Sequence, residues 1–189
     1  MKWEVRLIYL TSHLGAKRLH ILTSHFSYLT MKILFDARMY GLEHAGIGRY
    51  VENLVHELQA IDKENEYILL AKGDSEFKIQ NSKFKIQKTD TPHYSVAEQT
   101  QLPRVLNKLD FDLAHFPHFN VPVLFKKPYV VTIHDLIKHS SRGMGTTTRN
   151  PLLYWAKYAG YKTVFGNSVR RAKKIIVPSK AVKNDLLEN

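Results

Sequence analysis

The amino-acid sequence predicts an α/β fold with a doubly wound, mostly parallel sheet. Short apolar runs typical of buried strands alternate along the chain with amphipathic helical stripes, and polar residues directly follow several of these runs. With 189 residues, the chain is long enough for one domain and barely for two. Its hydrophobic fraction of 44% and charged fraction of 24% are typical of a globular protein.

Five apolar runs are predicted as strands, at 32–35, 66–71, 111–116, 128–133 and 174–178. The strongest helical signal lies between the first two, where apolar residues recur at helical spacing over 47–61. Four further helices are predicted. One begins at the capping box 95–98, one runs from Pro103 to about Leu109, one spans 152–169 and one follows Ser179. The repetitive segment 77–88 fits either a hairpin or an edge strand, and a duplication in the gene explains it equally well.

Residues 1–30 differ from the remainder of the chain. The tetrapeptide LTSH occurs twice in them, and the charge and cleavage pattern of a signal peptide is missing. We interpret Met31 as the natural start and residues 1–30 as a non-native N-terminal extension. The alternative is a basic helix lying on a membrane surface.

The net charge of +11 indicates a polyanionic partner: nucleic acid, anionic lipid or a phosphorylated substrate. Nucleic acid is not expected, because the chain has no arginine-rich run and no aromatic RNA-binding signature. The absence of cysteine removes disulfides and thiolate metal sites and agrees with a reducing, cytoplasmic compartment.

The motif AGIGRY places Gly46, Ile47 and Gly48 at the start of the helix predicted over 47–61. Glycines there let a ligand approach the backbone, and the helix N-terminus favours an anion such as a diphosphate, although an ordinary flexible turn explains two glycines as well. A dinucleotide fingerprint is disfavoured because Val51 stands at the third glycine position and no acid ends the second strand.

Two histidine-containing motifs follow predicted strands. His115 and His118 form an H-x-x-H pair interrupted by Pro117, and His134 and Asp135 follow the run YVVTI. Because the carboxyl ends of parallel strands meet at one sheet edge, these side chains are expected in a ligand cleft. A metal site is not expected, since no carboxylate completes a ligand set.

Five segments in order resemble the family 4 glycosyltransferases, especially the mannosyltransferase-like group. The resemblance extends over residues 31–189 and rests on KILFDARMYGLEHAGIGRYVENL, SVAEQTQLPRVL, FDLAHFPHFNVPVL, YVVTIHDLIKH and AKKIIVPSKAVKNDLLEN. It implies the GT-B fold, in which two Rossmann-like domains face each other across a cleft, with residues 31–189 forming the N-terminal, acceptor-side domain. The C-terminal donor domain of that fold is expected to be absent here, since no two glutamates have the E-x7-E spacing of its motif.

The resemblance also implies roles for individual residues. A sugar would pass from a nucleotide-sugar to an acceptor hydroxyl with retention of configuration, without a bound metal or other cofactor. His134 would be the catalytic-site histidine near the transferred sugar. The donor diphosphate would lie against Gly46, Ile47 and Gly48, and the substrate cleft would include Arg49, His115, His118 and Asp135.

The expected activity is that of a hexosyltransferase of glycan biosynthesis when complete, with a glycan or lipid-linked acceptor and peripheral contact with anionic membrane. Residues 1–189 alone are expected to have negligible transferase activity. The alternative is a non-catalytic Rossmann-like module that binds a phosphorylated or lipid-linked glycan or a partner subunit. A sugar epimerase or dehydrogenase is disfavoured by the failed dinucleotide fingerprint.

Overall fold

A computed structural model describes residues 7–9, 30–41, 45–73, 77–136 and 151–188. Seven parallel strands in these ranges form one sheet with the order β1-β7-β6-β5-β2-β3-β4. The strands are β1 (Leu7–Tyr9), β2 (Lys32–Asp36), β3 (Glu66–Lys72), β4 (Phe84–Thr89), β5 (Leu113–Phe116), β6 (Tyr129–Thr132) and β7 (Lys174–Val177). The chain moves outward from β2 to β4, returns to β5 beside β2, and then moves outward on the other side. This order confirms the predicted doubly wound α/β class.

The described ranges contain five helices: α1 (Ala45–Ile61), α2 (Val96–Thr100), α3 (Leu102–Lys108), α4 (Pro151–Arg171) and α5 (Lys180–Glu188). The first four lie between strands, and α5 follows β7. All five predicted strands and all predicted helices are present. In α1, the predicted apolar stripe faces the sheet, with Val51 and Val55 fully or almost fully buried. Pro103 lies in the first turn of α3, where its missing N–H costs no intrahelical hydrogen bond.

Helices cover both faces of the sheet. Successive residues of a strand point to opposite faces, so a central strand such as β2 contributes to both hydrophobic clusters. In β2, Phe35 belongs to the cluster that α1 contributes through Val51. Its neighbour Leu34 belongs to the opposite cluster, with Leu106 of α3 and Phe165 of α4. Burial on both faces explains why the central strands have continuous apolar runs in place of alternation.

The two sheet edges carry the features that the sequence left open. The repetitive segment contributes one strand, β4, which pairs in parallel with β3, so the edge-strand interpretation is confirmed and the hairpin is wrong. At the other edge, β1 pairs with β7. Most of residues 1–30 lie outside the described ranges, and their interpretation as an extension stays a prediction. No helix in the described ranges has the length and apolar character needed to cross a membrane.

Candidate functional site

The candidate site lies at the carboxyl edge of the sheet, where β2 and β5 are neighbours. The chain leaves β2 in one direction and β5 in the other, so this position is the topological switch point at which ligands bind in open α/β sheets. The segments that follow β2, β5 and β6 carry Arg38, His118 and His134 respectively.

His134 is half-buried two residues beyond β6, and its Nε2 lies 2.8 Å from the carbonyl oxygen of Pro117. A carbonyl only accepts hydrogen bonds, so Nε2 carries the proton and Nδ1 is the acceptor nitrogen. Burial lowers the pKa of His134 below its ordinary value, although Pro117 and Asp135 act in the opposite direction. At neutral pH, His134 is therefore a neutral imidazole with a defined tautomer.

A chain of contacts connects His134 to the sheet interior. Thr132 Oγ1 lies 2.9 Å from His115 Nε2 and 3.2 Å from the Tyr50 hydroxyl. The Tyr50 ring meets the His134 ring edge-on, with centroids 4.9 Å apart. His115 is buried, and its burial together with His134 lowers its pKa to about 4, against an opposing effect of Asp36. The buried His115 therefore fixes the position of the Thr132 hydroxyl, which in turn contacts the Tyr50 hydroxyl.

The two glycines of the α1 start have different surroundings. A Cβ on Gly48 would lie 1.9 Å from the carbonyl oxygen of Gly41, so the helix packs on the preceding loop too closely for any side chain. A Cβ on Gly46 would meet none of the described residues within 4 Å, and Gly46 is exposed. Ile47 is half-buried against the α1 cluster and Arg49 is exposed. Of the three residues predicted to face a diphosphate, Gly46 has the open backbone.

The H-x-x-H histidines contact different partners. His115 contacts Thr132, whereas His118 Nε2 lies 3.2 Å from the Tyr94 hydroxyl, and these two rings meet edge-on at 5.6 Å. Asp135 is exposed and contributes, after burial and Glu98, to raising the pKa of Tyr94 to about 12. Within the described residues, no three His, Cys, Asp or Glu side chains converge as a metal site.

A buried ion network lies beneath this edge. Arg38 is 2% exposed and binds both oxygens of Asp36, at 2.8 Å through Nε and 2.7 Å through Nη2. Its Nη2 also lies 2.8 Å from Oε1 of Glu98, which is fully buried. Burial raises the pKa of Asp36, but the charge and hydrogen bonds of Arg38, together with His93, lower it to below the ordinary value. Burial lowers the pKa of Arg38, but the two carboxylates raise it above the ordinary value.

The second oxygen of Glu98 extends the network to two loops. Oε2 accepts a hydrogen bond from the backbone N–H of Tyr94 at 2.7 Å and another from Nδ2 of Asn120. Ser95 accepts from the Glu98 N–H at 3.0 Å, so the serine half of the predicted capping box is confirmed. The glutamate half differs, because Glu98 binds the residue before the cap and Arg38.

The sequence predicted the histidines and glycines but not the residues that hold them. The sequence predicts Tyr50 and Thr132 only as parts of a helix and a strand, although both lie within two residues of a predicted site residue. Asp36 and Arg38 directly follow the first predicted strand, a signal that would have placed them at the same edge. Nothing in the sequence distinguishes Tyr94 from an ordinary surface tyrosine.

A comparison with models of known protein families identifies the family of this chain. A family model described as Glycosyltransferase Family 4 matches residues 44–189. The matched range begins immediately before α1 and includes the segments that follow β5 and β6. No curated protein matches the chain.

Proposed function

The chain belongs to glycosyltransferase family 4, and from this premise we propose that it supplies the acceptor-side half of a site that moves a hexose from a nucleotide-sugar to an acceptor hydroxyl. The proposal includes retention of configuration and, following the mannosyltransferase-like resemblance, mannose as the transferred sugar. The donor half of the cleft would come from a second domain of the GT-B type.

One observation carries the proposal: α1, whose first turn is open at Gly46, contacts the His134 ring through its second turn. Tyr50, in the second turn of this helix, contacts the His134 ring, while Gly46 in the first turn leaves its backbone accessible. The first turn carries no acidic residue that would repel an anion. A diphosphate at Gly46 would therefore bring its attached sugar toward His134, and the helix amides would stabilise charge on the departing phosphate.

In this proposal His134 binds a sugar hydroxyl. Its Nε2–H is occupied by the Pro117 carbonyl, and among the described contacts Nδ1 has no hydrogen-bond partner. Nδ1 is then the atom that accepts from a hydroxyl near the reacting carbon. The Tyr50 ring, whose hydroxyl contacts Thr132, packs edge-on against the His134 ring and restricts it from one side, so the acceptor nitrogen is preorganised.

The diphosphate part of the proposal is tested by binding. We would titrate the 189-residue chain with GDP, UDP and inorganic pyrophosphate, using isothermal calorimetry. Gly46→Ala is expected to weaken binding about tenfold, because the methyl group occupies the approach to the backbone. Gly160→Ala on α4 is the matched control, since its Cβ also meets nothing within 4 Å. Equal binding by both variants would contradict the proposed diphosphate position.

The transferase part is tested by turnover. Purified chain is incubated with GDP- and UDP-hexoses and with methyl glycosides, and products are measured by mass spectrometry. We expect negligible turnover by residues 1–189, because the E-x7-E donor motif of the resemblance is not among them. Turnover at an ordinary enzymatic rate would contradict this expectation. Binding of a phosphorylated glycan without any nucleotide binding would favour the non-catalytic module. The net charge of +11 supports that alternative, and it also supports contact with anionic membrane.

A further inference from the structure

Tyr94 combines an unfavourable backbone conformation with an exposed ring. Its φ of 56° is the only positive φ at a non-glycine residue in the described ranges. The residue is 58% exposed, so core packing does not explain the conformation. Bulky residues rarely adopt this region, and such outliers persist only where the surroundings impose them, often at binding sites.

The buried network imposes this conformation. The Tyr94 N–H donates to Glu98 Oε2 at 2.7 Å, and Glu98 is itself fixed by Arg38 at 2.8 Å and by Asn120. Glu98 and Arg38 are 0% and 2% exposed, so neither contacts a ligand in solvent. Glu98 therefore determines where Tyr94 stands.

The Tyr94 ring forms an amphipathic surface with its neighbours. Its hydroxyl lies 3.2 Å from His118 Nε2, and His118 in turn packs on Phe119, with ring centroids 4.1 Å apart. Pro117, which precedes His118, is the residue whose carbonyl holds His134. The Tyr94 ring, with its hydroxyl and the His118 imidazole beside it, offers both an apolar surface and polar groups. A pyranose ring is complementary to such a surface, because it has an apolar C–H face and hydroxyl groups around its rim.

We propose that Tyr94 and His118 form a shelf that binds the pyranose ring of an uncharged acceptor, and that Glu98 is the positioning residue of this shelf. That the bound sugar is the acceptor of the transfer rests on the proposed function. Binding of the sugar ring itself is independent of the nucleotide and is measured separately.

The first experiment measures glycoside binding by the 189-residue chain. Saturation-transfer NMR is recorded with methyl α-D-mannopyranoside, methyl α-D-glucopyranoside and methyl β-D-galactopyranoside. We expect saturable binding of at least one glycoside. Tyr94→Gly should weaken it about tenfold while leaving the melting temperature unchanged or higher, because glycine adopts positive φ without strain. Tyr94→Phe retains the ring and should bind within about threefold of the parent chain. Trp155→Ala, which removes an equally exposed aromatic ring on α4, is the control.

The second experiment separates positioning from general stability. Glu98→Gln is compared with the parent chain and in the Tyr94→Gly background, well below each melting temperature. Because Glu98 acts through Tyr94, the substitution should weaken glycoside binding in the parent chain and cause no further loss in the Tyr94→Gly background. A structural role alone would give the same change in both backgrounds. If Glu98→Gln does not fold, the comparison of Tyr94→Gly with Tyr94→Phe decides the proposal.

The outcomes for the shelf and for the proposed function are distinct. Loss of glycoside binding in Tyr94→Gly, with GDP and UDP binding unchanged, supports the shelf. No glycoside binding by the parent chain, or equal binding by Tyr94→Gly, overturns it whatever the nucleotide titration shows. An effect of Tyr94→Gly confined to nucleotide-sugars would assign the ring to the donor and also overturn the proposal.

Discussion

Replacing His115 by glutamine should make the free energy of unfolding less sensitive to acid. Burial beside His134 lowers the pKa of His115 from its ordinary value of 6.5 to about 4. As pH falls from about 6.5 to about 4, the unfolded chain binds a proton that the folded chain excludes, so the free energy of unfolding decreases. At 1.36 kcal/mol per pH unit, His115 alone removes about 3 kcal/mol by pH 4.

Glutamine does not titrate in this range and retains a polar group for Thr132. It loses the edge contact of the imidazole with Phe35, whose ring centroid lies 5.0 Å away. That loss costs about 1 kcal/mol at all pH values. His115→Gln should therefore be about 1 kcal/mol less stable than the parent chain at pH 7 and about 2 kcal/mol more stable at pH 4.

Urea denaturation, followed by circular dichroism at several pH values between 7 and 4, measures this crossover. The lowered pKa of His134 contributes in the same window, but His134 is present in both chains. Asp36, whose pKa is lowered from 3.8, loses its contribution only at lower pH. His56→Gln, on an imidazole that is 78% exposed, is the control and should change nothing. Stability curves of His115→Gln and the parent chain that stay parallel would refute the reasoning.

Three further substitutions or deletions test the packing around the site. Gly48→Ala should lower the free energy of unfolding, measured by urea denaturation, by at least about 2 kcal/mol, because its Cβ would lie 1.9 Å from the Gly41 carbonyl oxygen. The control, Gly160→Ala, should lose no stability. Equal stability of the two variants would contradict this packing. Arg38→Met removes the guanidinium that pairs with both Asp36 and Glu98, and should cost about 3–5 kcal/mol at pH 7, with part of the loss recovered at low pH where carboxylates protonate. A loss that is the same at pH 7 and pH 4 would argue against a charge effect. Deletion of residues 1–30 removes from the described part of the sheet only a three-residue edge strand, so the melting temperature should change little, and a large decrease in differential scanning calorimetry would reject the interpretation of this segment as an extension.

The fold was predictable because its signals are local. Apolar runs and helical stripes depend on neighbouring residues, and burial of the sheet on both faces keeps the runs continuous. The parallel arrangement followed from the alternation of strands and helices. The position of β4 was not predictable, because its strand FKIQKT alternates polar and apolar residues in a repetitive segment that also fits a hairpin.

The positions of the histidines in the fold were predictable, and their environment was not. His134 and His118 were placed correctly at the sheet edge because each follows a strand, and the end of a parallel strand has a fixed direction. Whether a glycine is open or closed, as for Gly46 and Gly48, depends on the path of a preceding loop that the sequence does not specify. The burial of Glu98 depends on a residue 60 positions away, so a capping-box glutamate looks the same whether it is exposed or paired with Arg38.

The buried network is better explained by position than by stability. Removing three charged side chains from water is expensive, and well-packed apolar residues of similar volume often stabilise a protein as much or more. Arg38, Asp36 and Glu98 nevertheless connect three segments that are distant in sequence: the end of β2, the start of α2 and, through Asn120, the loop after β5. Those segments carry Tyr94 and His118, which stand at the switch point of the sheet. An apolar cluster would pack there without fixing the Tyr94 backbone in a strained conformation, whereas a directional hydrogen bond from a fixed carboxylate does. The network is therefore understood as the part of the fold that sets the geometry of the site.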